Sequence, residues 1–212
     1  MIIQNIFENE INDTYECKGK VTVGDTTFTC QKDKKHGKQT IKEALANSCN
    51  CYFIDLALKL GSEKLTDISK RLGFGDVNHL YDEWNVRNGN FPNSDDLQSK
   101  GQLALLGFGQ GKLTDSPLHF SSVIAAIANG GIYKMPQLVS GSVDDSGKVS
   151  ERNENEANRA MSEDTAKTIR EYMRYVVSDG SGRSADYNNQ TAGKTSTAQS
   201  GRMEEDKEIL YT

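Results

Sequence analysis

No apolar run in this sequence approaches the roughly 20 residues needed to cross a bilayer, and Met1-Ile2-Ile3-Gln4-Asn5-Ile6-Phe7 is followed by acids rather than a cleavage site. The chain is therefore expected to carry no export signal or anchor of its own. Long basic runs are missing too. Acidic residues number 30 against 25 basic ones, a net charge of -5, so nothing tracks a phosphate backbone and no nucleic-acid partner is expected. Proline is scarce, 3 residues against 19 glycines, and only 35% of residues are hydrophobic, a balance that fits one loop-rich globular unit rather than a disordered chain. No internal repeat is present, and no boundary divides the chain.

Several chemical signatures are also absent. No Gly-x-Ser-x-Gly turn occurs, which removes the usual setting of a Ser/His/Asp triad. His36, His79 and His119 lie far apart with no ligand spacing, so surface or supporting roles are their default. Leu106-Gly107-Phe108-Gly109-Gln110-Gly111-Lys112-Leu113-Thr114 fails as a phosphate-binding loop, because Leu106 stands where the first glycine belongs and Leu113 where a metal-binding hydroxyl is required. Of the four cysteines, Cys49 and Cys51 are closer together than zinc ligands usually are, and no histidine is near them in sequence. No metal or cofactor is expected. Cys17 and Cys30 bracket a hairpin turning at Gly24-Asp25, and either a disulfide or two free thiols would suit them.

What is present reads as mixed helix and strand. Ile2, Ile3, Ile6 and Phe7 share a helical face. Thr40-Ile41-Lys42-Glu43 opens a helix with a capping-box pattern, and Asn47-Ser48-Cys49-Asn50 interrupts it. A second helix runs to Gly61, and Ser62 caps a third that ends near Gly73. Residues 76–100 are polar and read as a long excursion with little regular structure. Ser116-Pro117 starts another helix, and one more runs from Ser162 to about Val177. Near the end, the β-branched threonines of Thr191-Ala192-Gly193-Lys194-Thr195-Ser196-Thr197 favour a strand that carries a lysine among hydroxyls. Glu208-Ile209-Leu210-Tyr211-Thr212 reads as the start of a further strand.

Two of these elements combine. Ser48-x-Asn50 puts a hydroxyl and an amide at a helix junction, and Lys194-Thr195-Ser196-Thr197 adds an ammonium with hydroxyls. Taken in order with His36-Gly37, Glu43-Ala44-Leu45-Ala46-Asn47-Ser48-Cys49-Asn50-Cys51-Tyr52-Phe53, Gly73-Phe74-Gly75, Gly109-Gln110-Gly111 through Ser116-Pro117-Leu118, Ile127-Ala128-Asn129-Gly130-Gly131 and Ala192 to Gln199, they resemble the transpeptidase domain of class B penicillin-binding proteins. The resemblance runs from about Tyr15 to Gln199.

The resemblance implies an α+β fold of the penicillin-binding protein and serine β-lactamase type, an antiparallel sheet flanked by helices. A helical subdomain would span about 40–130 and the sheet-side elements about 131–212. It implies a D,D-transpeptidase that cross-links peptidoglycan stem peptides ending in D-Ala-D-Ala through an acyl-serine, with β-lactams as mimics. By position, Ser48 would relay protons and Asn50 would bond the substrate amide or a catalytic lysine. Lys194 would supply positive charge beside Ser48. Thr195, Ser196 and Thr197 would bind substrate, the Thr197 N–H serving the oxyanion. Localisation on the outer face of the bacterial cell membrane, and cell-wall synthesis or division proteins as further partners, follow for the parent protein.

Two departures stand out. Ser196 occupies a position where the family usually has glycine. No serine is followed three residues later by lysine, so the family's Ser-x-x-Lys nucleophile and base are missing. The expectation is an internal fragment that forms no acyl-enzyme alone. Two other readings stay open: a non-catalytic module or sensor that binds peptide or β-lactam reversibly, and a serine β-lactamase relative.

Overall fold

In a computed structural model the described residues are 14–81, 84–151, 155–196, 198–204 and 207–211. The expected helical face of Ile2, Ile3, Ile6 and Phe7 and the expected role of Thr197 lie outside them.

The chain opens with short strands β1 (Tyr15–Cys17), β2 (Lys20–Val23), β3 (Thr26–Thr29) and β4 (Gly37–Gln39). β2 and β3 form the expected hairpin, its two-residue turn made possible by Gly24 at a φ of 60°. β1 pairs antiparallel with β4, Cys17 opposite Gly37, which folds the hairpin and its following loop back onto one spot.

Helix α1 (Ile41–Ala46) begins where its capping box dictates: the Thr40 hydroxyl accepts from the Glu43 N–H, and the Glu43 carboxylate accepts from the Thr40 N–H at 2.7 Å. Those bonds to the Thr40 backbone and hydroxyl hold the Glu43 carboxyl below the usual range. Helix α2 (Asn50–Arg71) follows after only three residues, with Cys49 as N-cap, its sulfur accepting from the Tyr52 N–H at 3.4 Å. At Gly61 (φ 79°, ψ 169°) the helical path breaks and restarts, as the sequence predicts.

Residues 76–100 differ from expectation. They form a hairpin, β5 (Val77–Tyr81) with β6 (Trp84–Arg87), followed by helix α3 from Lys100 to Gly107. The polar character misled because the hairpin is anchored by buried polar groups: the Asn78 amide donates to the Asn88 side-chain oxygen at 2.6 Å, and Asn88 donates to the Gly73 carbonyl at 2.7 Å and the Tyr133 hydroxyl at 3.1 Å. A Cβ on Gly107 would lie 2.7 Å from the Phe53 carbonyl oxygen, so glycine there is what lets α3 lie against α2.

Helix α4 (Pro117–Ala128) starts at the Ser116 cap, and α5 (Glu163–Ser178) at Ser162, whose hydroxyl accepts from the Thr165 N–H at 3.1 Å. Between them lie β7 (Ile132–Lys134), β8 (Gly141–Val143), β9 (Val149–Glu151) and β10 (Ala157–Arg159), paired β7 with β10 and β8 with β9. β11 (Ala198–Glu204) and β12 (Lys207–Tyr211) close the chain as an antiparallel pair. The class is α+β as expected, the strands of the described residues forming six antiparallel pairs. Ile41, Leu56, Leu60 and Ile68 from α1 and α2, with Leu72 at the C-cap of α2, meet Leu103, Ala126 and Ile169 in one core, which fixes the helices relative to one another. Among the described residues no helix is long and apolar enough to cross a membrane.

Candidate active site

The site begins with a backbone detail. α1 ends in a Schellman-type cap, in which the Cys49 N–H donates to the Ala44 carbonyl at 2.9 Å and the Ser48 N–H to Leu45 at 3.3 Å. The residue between helix and exit must then be left-handed, and Ser48 occupies it with a φ of 52° where glycine is usual. One residue later Cys49 caps α2. The double junction leaves the half-buried Ser48 hydroxyl facing out between two helices.

Helix α5 brings the second half. Its C-terminal turn presses on the end of α1: the Ser181 N–H donates to the Ala46 carbonyl at 3.1 Å, and a Cβ on Gly180 would stand 2.7 Å from that same oxygen. Lys42 of α1 lies over the Tyr175 ring of α5, 4.1 Å from its centre. The segment after α5 is pinned back onto the helix. Arg174 donates to the Thr191 carbonyl at 2.7 Å and pairs with Asp186 at 3.0 Å, and the Gly193 N–H donates to the Met173 carbonyl at 3.2 Å.

As a result Lys194 Nζ donates to Ser48 Oγ at 2.7 Å, joining residues 146 positions apart. The ammonium also donates to the Thr195 carbonyl at 2.6 Å. Although the Lys194 side chain retains solvent contact, its ammonium sits among enough protein atoms that lost hydration pushes its pKa below the ordinary lysine value. Thr195 Oγ1 is hydrogen-bonded to Ser181 Oγ at 2.6 Å. The result is a row of hydroxyls, Ser48, Thr195 and Ser181, around one cation, suited to an anion and to proton traffic along a hydrogen-bonded chain.

Other predicted positions are placed as follows. Asn50 is the first residue of α2, and its amide donates to the Thr29 carbonyl at 2.9 Å, tying it to β3. Ser196 is exposed beyond Lys194, while Thr197 lies outside the described residues. The lysine segment is not a strand: residues 191–196 make no ladder, and pairing begins at Ala198, because the bonds holding the segment go to the carbonyls and side chains of α5. Sequence reasoning missed Ser181 and Arg174. The only local signal was Asp179-Gly180-Ser181-Gly182, a turn of small residues directly after a helix.

His119 has a supporting place. It is fully buried, its Nδ1 2.6 Å from Asp115 and its Nε2 2.7 Å from the Leu72 carbonyl, against which it donates, and its ring packs edge-on to Phe74 and Tyr133. It thereby ties α4 to the end of α2. His36, by contrast, lies beside Cys17, and all four cysteines gather directly behind Ser48. No histidine is near Cys49 and Cys51 in sequence, and it is the fold that brings one to the cluster: the pairing of β1 with β4 closes a gap of 19 residues between Cys17 and His36.

Comparison with known proteins agrees with this arrangement. The family model for the penicillin binding protein transpeptidase domain matches residues 6–211. Stage V sporulation protein D of Bacillus subtilis is 32% identical over 200 residues, 91% of this chain and 30% of that protein. Peptidoglycan D,D-transpeptidase MrdA of Escherichia coli K12 is 26% identical over 121 residues, 54% of this chain and 19% of that protein. The chain thus spans a third or less of these curated relatives. Among solved structures, penicillin binding protein 3 of Mycobacterium tuberculosis complexed with aztreonam superposes with a TM-score of 0.84 at 25% identity, covering 99% of this chain and 48% of that one. The D,D-transpeptidase domain of a peptidoglycan glycosyltransferase from Eggerthella lenta also gives 0.84, at 24% identity, over 98% of this chain and 53% of that one, and supports the fold.

Proposed function

Because this chain belongs to the penicillin-binding protein transpeptidase domain family, we propose that it supplies the carboxylate-binding and proton-relaying half of a D,D-transpeptidase site that cross-links peptidoglycan outside the cytoplasmic membrane. The observation that carries the reading is the 2.7 Å bond between Lys194 Nζ and Ser48 Oγ, with Thr195 alongside. The terminal carboxylate of a D-Ala-D-Ala stem peptide, or the carboxylate of a β-lactam, is held by the Lys194 charge and the Thr195 hydroxyl, with Ser196 and Thr197 following along the same segment. Ser48, bonded to the ammonium, passes a proton toward the leaving amine. Asn50 donates one amide hydrogen to the Thr29 carbonyl and keeps its oxygen for a substrate N–H or a lysine ammonium.

The nucleophile and base of this chemistry are not among these 212 residues, since no serine is followed three residues later by lysine. What these residues do by themselves is bind. The test is a fluorescent penicillin. Saturable fluorescence anisotropy in the native chain, lost in Lys194→Ala and leaving no adduct after denaturation, is the expected result. Covalent labelling of any serine would overturn the assignment of the nucleophile, and no binding above a carboxylate-free analogue would overturn the site. The same absence of Ser-x-x-Lys favours, as a second reading, a module that binds reversibly and never acylates. Peptidoglycan cross-linking by the whole protein, lost in Lys194→Ala, argues against that second reading.

A further inference from the structure

Four thiols and an imidazole converge behind the turn that carries Ser48. Cys17 ends β1, Cys30 follows β3, Cys49 caps α2 and Cys51 lies in its first turn, each no more than 1% exposed. None forms a disulfide. The Cys30 sulfur is 3.7 Å from that of Cys17, 3.8 Å from that of Cys49 and 3.5 Å from that of Cys51. His36 Nδ1 is 3.5 Å from the Cys17 sulfur. The ligand atoms of Cys17, Cys30, His36 and Cys49 all lie within 4.8 Å of one another, and Cys51 falls outside that set.

These separations have a meaning in coordination geometry. Zn–S and Zn–N bonds of about 2.3 and 2.0 Å at tetrahedral angles set sulfurs about 3.8 Å apart and a sulfur and nitrogen about 3.5 Å apart. The Cys17–Cys30, Cys30–Cys49 and Cys17–His36 separations of 3.7, 3.8 and 3.5 Å fall on those values and the remaining pairs lie within 4.8 Å, whereas a disulfide would need about 2.0 Å. We propose that Cys17, Cys30, Cys49 and His36 Nδ1 form a mononuclear Cys3His site for zinc. Three soft sulfurs and one imidazole in a tetrahedron select zinc over hard cations.

The surroundings fit the same ion. The Gly19 N–H donates to the Cys17 sulfur and the Tyr52 N–H to the Cys49 sulfur, each at 3.4 Å, which favours thiolates and orients them. Binding converts three thiols to thiolates and releases their protons to solvent, leaving one net negative charge on the site. A cleft of about 520 Å³ lined by Glu16, Lys18, Lys20, Lys35 and His36 reaches Cys17, offering an entry path with three lysines against one carboxylate.

The metal's consequence lies one residue away. Cys49 stands between Ser48 and Asn50, so a bound zinc would clamp this turn to β1 and to the loop after β3. That consequence rests on the function proposed above, while the metal site does not.

The test uses the whole chain, expressed with zinc and purified without chelators. Metal analysis is expected to return one zinc per chain. The cobalt-substituted protein is expected to show thiolate charge-transfer bands and the strong visible absorption of a tetrahedral site. Cys30→Ser and His36→Ala should lose the metal, while Cys51→Ser should keep it. Substoichiometric zinc in the folded wild-type chain, four freely titrating thiols in excess zinc, disulfides under the same conditions, or loss of zinc in Cys51→Ser would each overturn the proposal. Should the ligand variants misfold, the wild-type stoichiometry and the cobalt spectrum still decide it. Loss of penicillin binding with zinc retained would count against the functional reading and leave the metal site standing.

Discussion

Replacing Ser48 by glycine is predicted to leave the protein more stable than replacing it by alanine. Both variants remove the hydroxyl that accepts from Lys194, so that loss cancels in the comparison. What remains is the backbone. Ser48 is held at a φ of 52° by the bonds of Cys49 to Ala44 and of Ser48 to Leu45. An L-residue in this region costs roughly 1–2 kcal/mol, a penalty glycine escapes. Glycine gives back about 0.5–1 kcal/mol through the greater freedom of its unfolded chain. Ser48→Gly should therefore exceed Ser48→Ala by about 1 kcal/mol, which for a chain of this size is about 2–4 °C in Tm. Urea unfolding followed by circular dichroism, with equal slopes for the two variants, measures it. Equal stability, or alanine the more stable, would refute the left-handed assignment and with it the argument for how the hydroxyl is aimed. Both variants should have impaired turnover in the whole protein, since both lack the relay oxygen.

Other outcomes follow from the same geometry. Burial lowers the Lys194 pKa, so carboxylate binding should be strongest while the ammonium is protonated and fall as pH rises through a value below that of an ordinary lysine, read by penicillin anisotropy against pH. Binding that persists unchanged to the ordinary lysine range would contradict this. Gly180→Ala places a Cβ 2.7 Å from the Ala46 oxygen and should destabilise by about 1–3 kcal/mol, measured by denaturant midpoint, while weakening ligand binding through Ser181. His119→Ala removes bonds to Asp115 and Leu72 from a fully buried position and should cost about 3–4 kcal/mol in calorimetry. Arg174→Ala frees the segment before Lys194 and should reduce penicillin affinity more than stability, since its partners at Asp186 and Thr191 are near the surface.

Local chemistry was legible in the sequence wherever one or a few neighbouring residues decide the outcome. The Thr40 capping box, the Ser116-Pro117 start, the Ser162 cap, the turn at Gly24 and the break at Gly61 all depend on groups within four residues of each other, and all stand where the pattern puts them. The hairpin after Asp76 was hidden because Asn78 and Asn88 are fully buried, and a rule that sends asparagine to loops has no means of knowing that Gly73 and Tyr133 will satisfy it. The lysine segment was mistaken for a strand because threonine content says nothing about whether a neighbouring strand exists to pair with.

By itself, then, the sequence determined the caps, the turns, the order of motifs and so the family. Tertiary structure alone decided that Lys194 reaches Ser48 across 146 residues, and that Cys17, Cys30, His36 and Cys49 share one small volume. The reason is physical: helix caps and turns are satisfied by backbone groups a few bonds away. A proton relay or a metal tetrahedron is set by distances of a few ångströms between side chains, and only the packing of α5 on α1 and the pairing of β1 with β4 bring those side chains within reach.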